Sequence, residues 1–213
     1  MKIVKFLTML LMCAFSMNSL AQNKIGTSNV IQKASKAARK EAKAYKKEGW
    51  KVNAGTLPLE NQLDIAYQIA YGVYDNENSY VTGEGKSIGE SYDAARMQAR
   101  VNAIDDLAGK ISLQATAIVD NLKANKQLAN EQAASITTSM SKGKQIFSQK
   151  LRHLLPVIET YRELEGKRKE VLIRLAVKEC DIQEIAKSAV RDELERNGIK
   201  LGNQLDGIMS TKK

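Results

Sequence analysis

The period of the apolar positions changes along the chain, and each change predicts an element. Ile65, Tyr67, Ile69, Tyr71 and Val73 alternate with Ala66, Gln68, Ala70 and Gly72, the two-residue period of a strand. The turn-forming cluster Asp75-Asn76-Glu77-Asn78 follows, then a second alternation at Tyr80-Val81-Thr82-Gly83-Glu84-Gly85. Residues 65–85 therefore predict a β-hairpin whose tyrosines pack a sheet face. Downstream the period lengthens: Tyr92, Ala95, Ala99, Ala103, Leu107 and Ile111 recur at steps of three and four, a helical stripe whose alanines permit close approach to a sheet. Asp93, Arg96, Arg100 and Asp105 lie off that stripe. Ser87 and Glu90 have the spacing of a capping box, which places the helix start near Ile88.

Residues 112–126 fit a continued helix or, through Thr116, Ile118 and Val119, a strand; continuation is the reading taken. After a polar bend near Asn125 to Asn130, the spacing of Leu128, Ala133, Ile136, Met140, Ile146, Phe147 and Leu151 predicts a second helix over 127–150, folding back on the first. Gly143 weakens it and Pro156 ends the helical zone. A second hairpin joins Val157–Leu164 to Glu170–Val177 through the charged turn Glu165-Gly166-Lys167-Arg168-Lys169. Asp181 is expected to cap a helix that runs to Asn197-Gly198 and buries Ile182, Ile185, Ala186, Ala189, Val190 and Leu194. The order β-β-α-α-β-β-α predicts an α+β domain over 56–198, a mostly antiparallel sheet of two hairpins covered by helices, with 199–213 as a loose tail.

The N-terminus changes the expected compartment. Lys2 and Lys5 precede an apolar run from Phe6 to Phe15, and Ser19-Leu20-Ala21 supplies the small residues a signal peptidase reads, so residues 1–21 are expected to be removed before Gln22. The run is too short for a good membrane span. Cys13 lies inside it after Met12, where a lipoprotein signal wants a small residue, so lipidation is not expected.

Charge then singles out one segment. The chain carries a formal +9, of which two charges leave with the leader. Lys33, Lys36, Arg39, Lys40, Lys43, Lys46, Lys47 and Lys51, against Glu41 and Glu48, give residues 33–51 a net +6, whereas residues 52–213 sum to zero. Residues 22–55 thus form a basic helical arm and linker, with Val30, Ala34, Ala37, Ala38, Ala44 and Tyr45 near one side and Gly49 as a stop. The arm is either a solvated helix resting one shallow face on the domain or a binder of an anionic surface through those eight cations. Trp50 is expected to plug onto the domain, and an exported chain excludes nucleic acid as its partner.

No catalytic constellation appears. Gly83-Glu84-Gly85-Lys86-Ser87 ends like a phosphate loop, but Tyr80 stands where the loop needs its first glycine and Ile88 where a dinucleotide motif needs one. His153 is the only histidine, and Cys180 is the only cysteine outside the leader; it reads as a small buried or half-buried thiol. Asp105 and Asp106 point about 100° apart on a helix and make no acid–base pair. One histidine and scattered carboxylates give no metal-ligand spacing, and no cofactor is implied.

The strand Gly83-x-Gly85, the helix Ala95-Arg96-x-x-Ala99-Arg100-x-x-Ala103-x-x-x-Leu107-Ala108-x-x-Ile111 and the strands Val157–Tyr161 and Val171–Val177 resemble the domain shared by a bacterial twenty-kilodalton (LPP-twenty-type) outer-membrane lipoprotein family and the N-terminal part of flagellar assembly protein T. Lys47-Glu48-Gly49-Trp50-Lys51, Leu57-Pro58-Leu59-Glu60, Ser87-Ile88-Gly89-Glu90 and Tyr92-Asp93-Ala94-Ala95 resemble an uncharacterised set of exported proteins of Gram-negative anaerobes. Neither resemblance implies an enzyme. The lipoprotein cysteine is missing, so membrane anchoring is not carried over, nor is a flagellar role. The expectation is an exported, non-catalytic interaction module of the periplasm or outer membrane, partnered by an envelope protein or an anionic envelope surface. The alternative is an envelope-associated hydrolase or ligand-binding protein.

Overall fold

The structure, a computed structural model, describes residues 27–75 and 79–199. The leader expected at 1–21 and the tail from residue 200 onward lie outside the described residues. The protein is α+β, as its sequence pattern predicts. Helix α1 covers residues 27–47, followed by α2 (Leu59–Ala70), β1 (Tyr80–Gly89), α3 (Tyr92–Ala124), α4 (Asn130–Lys142), α5 (Lys144–Lys150), β2 (Leu155–Glu163), β3 (Lys169–Lys178) and α6 (Glu179–Arg196). The three strands form an antiparallel sheet in the order β1-β3-β2.

Strand alternation gives each face of the sheet its own core. Val171, Ile173, Leu175 and Val177 of β3 pack with the α3 stripe and with α4, α5 and α6. Leu172 and Ala176, with Val157 and Ile158 of β2, pack on the other face against Leu59, Leu63, Ala66 and Ile69 of α2, Ala38 and Ala42 of α1, and Trp50. The result is a helix/sheet/helix sandwich, with Trp50 buried as its expected plug.

The α3 stripe is placed as expected: Ala95, Ala99, Ala103, Leu107 and Ile111 are fully buried. The glycines of β1 meet it. A Cβ built on Gly83 would stand 2.6 Å from Leu107 Cγ, and one on Gly85 would stand 2.9 Å from the Asn102 carbonyl carbon and collide with Ala99 O and Ala103 N. The Gly-x-Gly pair is thus the imprint of a helix backbone lying on a strand.

Several expectations need correction. The stretch 65–73 is not a strand, so there is one hairpin, β2–β3, instead of two; β1 pairs with β3. Leu59, Leu63, Ala66 and Ile69 already repeat at helical spacing, and that stripe begins upstream of the apparent alternation. Tyr67 and Tyr71 stand on α2, Tyr71 at its C-cap. Ser87 and Glu90 do not cap α3: β1 stays paired to β3 as far as Gly89 opposite Lys169, and Ser91 is the cap, its Oγ accepting from the Ala94 N–H at 3.2 Å. The helix predicted over 127–150 breaks at Gly143 into α4 and α5, and Ile146 is exposed. The helical zone ends at Lys150; Pro156 lies inside edge strand β2, beside a register shift. Helix α6 starts at Glu179, whose N–H donates to Ser79 O, so Asp181 sits in its first turn and does not cap it. Cys180, at the same helix start, is exposed.

Both outer edges of the sheet are closed by side chains or by other chain segments. On β1, the ammonium of Lys110 donates to Thr82 O, Asp106 Oδ2 accepts from the Glu84 N–H (3.1 Å) and Asn102 Nδ2 donates to Lys86 O (2.8 Å). These three residues stand one helical turn apart on α3 and meet alternate residues of β1, replacing a fourth strand. On β2, Lys51 exchanges backbone hydrogen bonds with Tyr161 (2.7 and 2.8 Å), and Gln62 Oε1 accepts from the Glu159 N–H (2.7 Å).

Candidate functional site

Good helix formers fill residues 27–47, and the way α1 is seated decides what its charges can do. Ala34, Ala38 and Ala42 are buried, with Tyr45 packed beside them against Trp50 (ring centroids 5.9 Å apart). Ser35 Oγ donates to Asp64 Oδ1 (2.8 Å) and Arg39 pairs with Glu60 (3.0 Å), so α1 is latched along α2. The inner row therefore runs through Ala42, whereas Ala44, expected on that side, is exposed.

With the alanines turned inward, the cations point out. Lys33, Lys36, Arg39, Lys40, Lys43, Lys46, Lys47 and Lys51 are all exposed. At 100° per residue the seven on α1 occupy an arc of about 140°, and Lys33, Lys36, Lys40, Lys43 and Lys47 fall within about 80° of it. The structure thus brings seven of the eight predicted site residues onto one face. Among the described residues, Lys33, Lys36, Lys40, Lys43, Lys46 and Lys47 form no ion pair.

The acidic residues of the segment are drawn off that face. Glu41 takes a hydrogen bond from Tyr67, which pushes the phenol up to about 12, with burial adding to the shift. Glu48 accepts from Trp50 Nε1 (3.3 Å) and lies 4.0 Å from Arg162, whose guanidinium stacks 4.8 Å over the Trp50 ring. The eighth cation, Lys51, stands past the helix end on the outer edge of β2. It lies 3.9 Å from Glu163, which in turn pairs with Lys169 at 2.8 Å. This chain of contacts sets the end of the cationic row beside the hairpin turn with its exposed Lys167 and Arg168, a neighbourhood that no local pattern in the sequence announces.

Among the described residues, His153, Cys180 and the pair Asp105-Asp106 are not hydrogen-bonded to one another. His153, in a left-handed backbone conformation (φ 54°), makes no side-chain hydrogen bond among the described residues. Cys180 Sγ lies 3.6 Å from Asp181 Oδ1. Asp105 and Asp106 serve structure, the first near Ser148 Oγ (3.4 Å) and the second at the β1 edge. Gly83-Glu84-Gly85-Lys86-Ser87 belongs to a strand pressed on α3 and forms no phosphate-cradling loop. No group of three potential metal ligands occurs among the described residues, and none of the described helices is long and apolar enough to cross a membrane.

An open cleft of about 920 Å³ lies at one end of the sheet, lined by Tyr74, Asp75, Tyr80, His153, Lys178 and Asp181 among others. Tyr80 donates to Asp75 Oδ2 (2.9 Å); burial first, then that carboxylate, pushes its phenol up to about 12. No protein-family model, curated protein or solved structure matches this chain.

Proposed function

We propose that the protein is an exported, non-catalytic interaction module of the cell envelope, periplasmic or at the outer membrane, that docks on an anionic envelope surface through the outer face of α1. One observation carries this reading: seven cations share one helix face from which every carboxylate of the segment has been turned away. Residues 52–213 sum to zero charge, so attraction to anions is concentrated in this segment. The leader pattern and the resemblance to outer-membrane lipoprotein domains support the compartment.

Cosedimentation of the mature protein with anionic and with neutral vesicles tests the docking. Binding to the anionic set at 0.1 M salt and release at 1 M is expected, because screening shortens from about 10 Å to about 3 Å over that range. Binding that ignores vesicle charge contradicts it. The cleft at Tyr80 and His153 favours a second reading, a ligand-binding protein, under which His153→Ala would abolish capture of a small envelope metabolite and leave vesicle binding intact.

A further inference from the structure

We infer that the cationic track continues from α1 through Lys51 onto the tip of the β2–β3 hairpin, and that its partner is a linear polyanion with one carboxylate per repeat; this rests on the docking face proposed above. Along α1 the row Lys33, Lys36, Lys40, Lys43, Lys47 advances by steps of three and four residues, about 4.5 and 6 Å of rise. Such a row matches a chain of regularly spaced single charges lying along the helix. At its C-terminal end, the contacts from Lys51 to Glu163 and from Glu163 to Lys169 bring the hairpin tip alongside. There, among the described residues, Lys167 has no partner, Arg168 makes only a long contact with Glu165 O (3.5 Å), and Glu165 is the one exposed carboxylate within the turn itself. Glu170 at the start of β3 is neutralised by Arg162 (2.6 Å).

Two features favour a polymer over a bilayer. A helix that lies in a membrane interface buries an apolar face there, and in α1 that face is already spent: Ala34, Ala38 and Ala42 are covered by the protein. Moreover, a flat surface reaches only the crest of a cylinder, whereas Lys46 stands on its flank, where a flexible chain can follow it. Because α1 is latched to α2 at Ser35 and Arg39, the row is preorganised before the polymer arrives.

The test uses the whole mature protein, long-chain polygalacturonate, trigalacturonate and phosphatidylglycerol vesicles, at 0.1 M salt. Wild type is expected to bind the polymer more tightly than the trimer. K167Q/R168Q should weaken polymer binding about three- to tenfold, the effect of losing two exposed charge contacts, and leave trimer and vesicle binding unchanged. K167Q alone, at a side chain that makes no hydrogen bond or ion pair among the described residues, should show a smaller loss of the same kind and guards against a loosened turn. Equal polymer affinity for wild type and both variants, or vesicle binding without polymer binding, overturns this inference and leaves the docking face standing. Binding to neither polymer nor vesicles overturns the docking face and this inference together.

Discussion

Gln62 accepts a hydrogen bond from the Glu159 N–H at 2.7 Å while its own amide donates to Leu57 O at 2.7 Å. Through that buried side chain, α2 closes the outer edge of β2, just as Lys110, Asp106 and Asn102 close β1. A three-stranded sheet has two edges, and here both carry partners from the chain itself. What the fold leaves exposed instead is the outer face of α1.

Gln62→Leu keeps the volume but leaves the Glu159 N–H and the Leu57 carbonyl without their partner. An unsatisfied buried group costs about 1–3 kcal/mol, so the urea midpoint should fall correspondingly. A midpoint equal to wild type would show that water reaches this edge.

Gly85→Ala places a methyl group against the α3 backbone, which cannot swing aside as a side chain can. Overpacking typically costs about 1–3 kcal/mol, and the upper end is expected here. Ala at Gly166, whose φ of 73° lies in an open turn with nothing within 4 Å of a built Cβ, should cost only the left-handed backbone penalty. Thermal melts that rank the two variants the other way would mean α3 does not rest on β1.

Glu159 accepts from Arg96 (2.6 and 3.2 Å) and from the Tyr92 hydroxyl (2.6 Å). Burial raises its pKa, but the guanidinium and the phenol more than reverse that, and the carboxyl ends below its ordinary range. A depressed folded pKa contributes stability above the unfolded value of about 4.3 and loses it as pH falls through the folded one. Glu159→Gln should therefore be less stable than wild type at pH 7, by on the order of 1 kcal/mol given the half-exposed Arg96. The gap should close below about pH 4; a gap that stays constant from pH 7 to pH 3 would contradict the linkage.

Cys180 is exposed in the first turn of α6. A thiol reagent should modify Cys180 in the folded protein without denaturant. Modification that waits for denaturant would return the thiol to the buried environment its flanking apolar strand suggested.

Some of this was legible in the sequence and some was not, for physical reasons. The α3 stripe and the β2–β3 hairpin were readable because each repeats its own period over a long run. Residues 65–73 misled because period-two alternation and the helical stripe share Ile69, and only Leu59 and Leu63 upstream, with Ala66 on the opposite strand face, break the tie. Ser87 and Glu90 have capping chemistry, but ten residues of ladder with β3 outweigh one cap. The cationic row was visible because charge spacing on a helix is local. The edge closures and the approach of Lys51 to the hairpin were not, since they depend on register between segments far apart in the chain.

The central claim is that attraction to anionic surfaces resides in the outer face of α1. The most direct measurement compares two variants that lose equal charge: K36Q/K40Q/K43Q/K47Q on α1, and K123Q/K126Q/K142Q/K144Q among exposed lysines of the α3–α5 layer. In cosedimentation with anionic vesicles at 0.1 M salt, the α1 variant should lose binding while keeping the wild-type melting temperature, and the second variant should bind as wild type does. Equal losses in both would assign the attraction to net charge and contradict a docking face on α1.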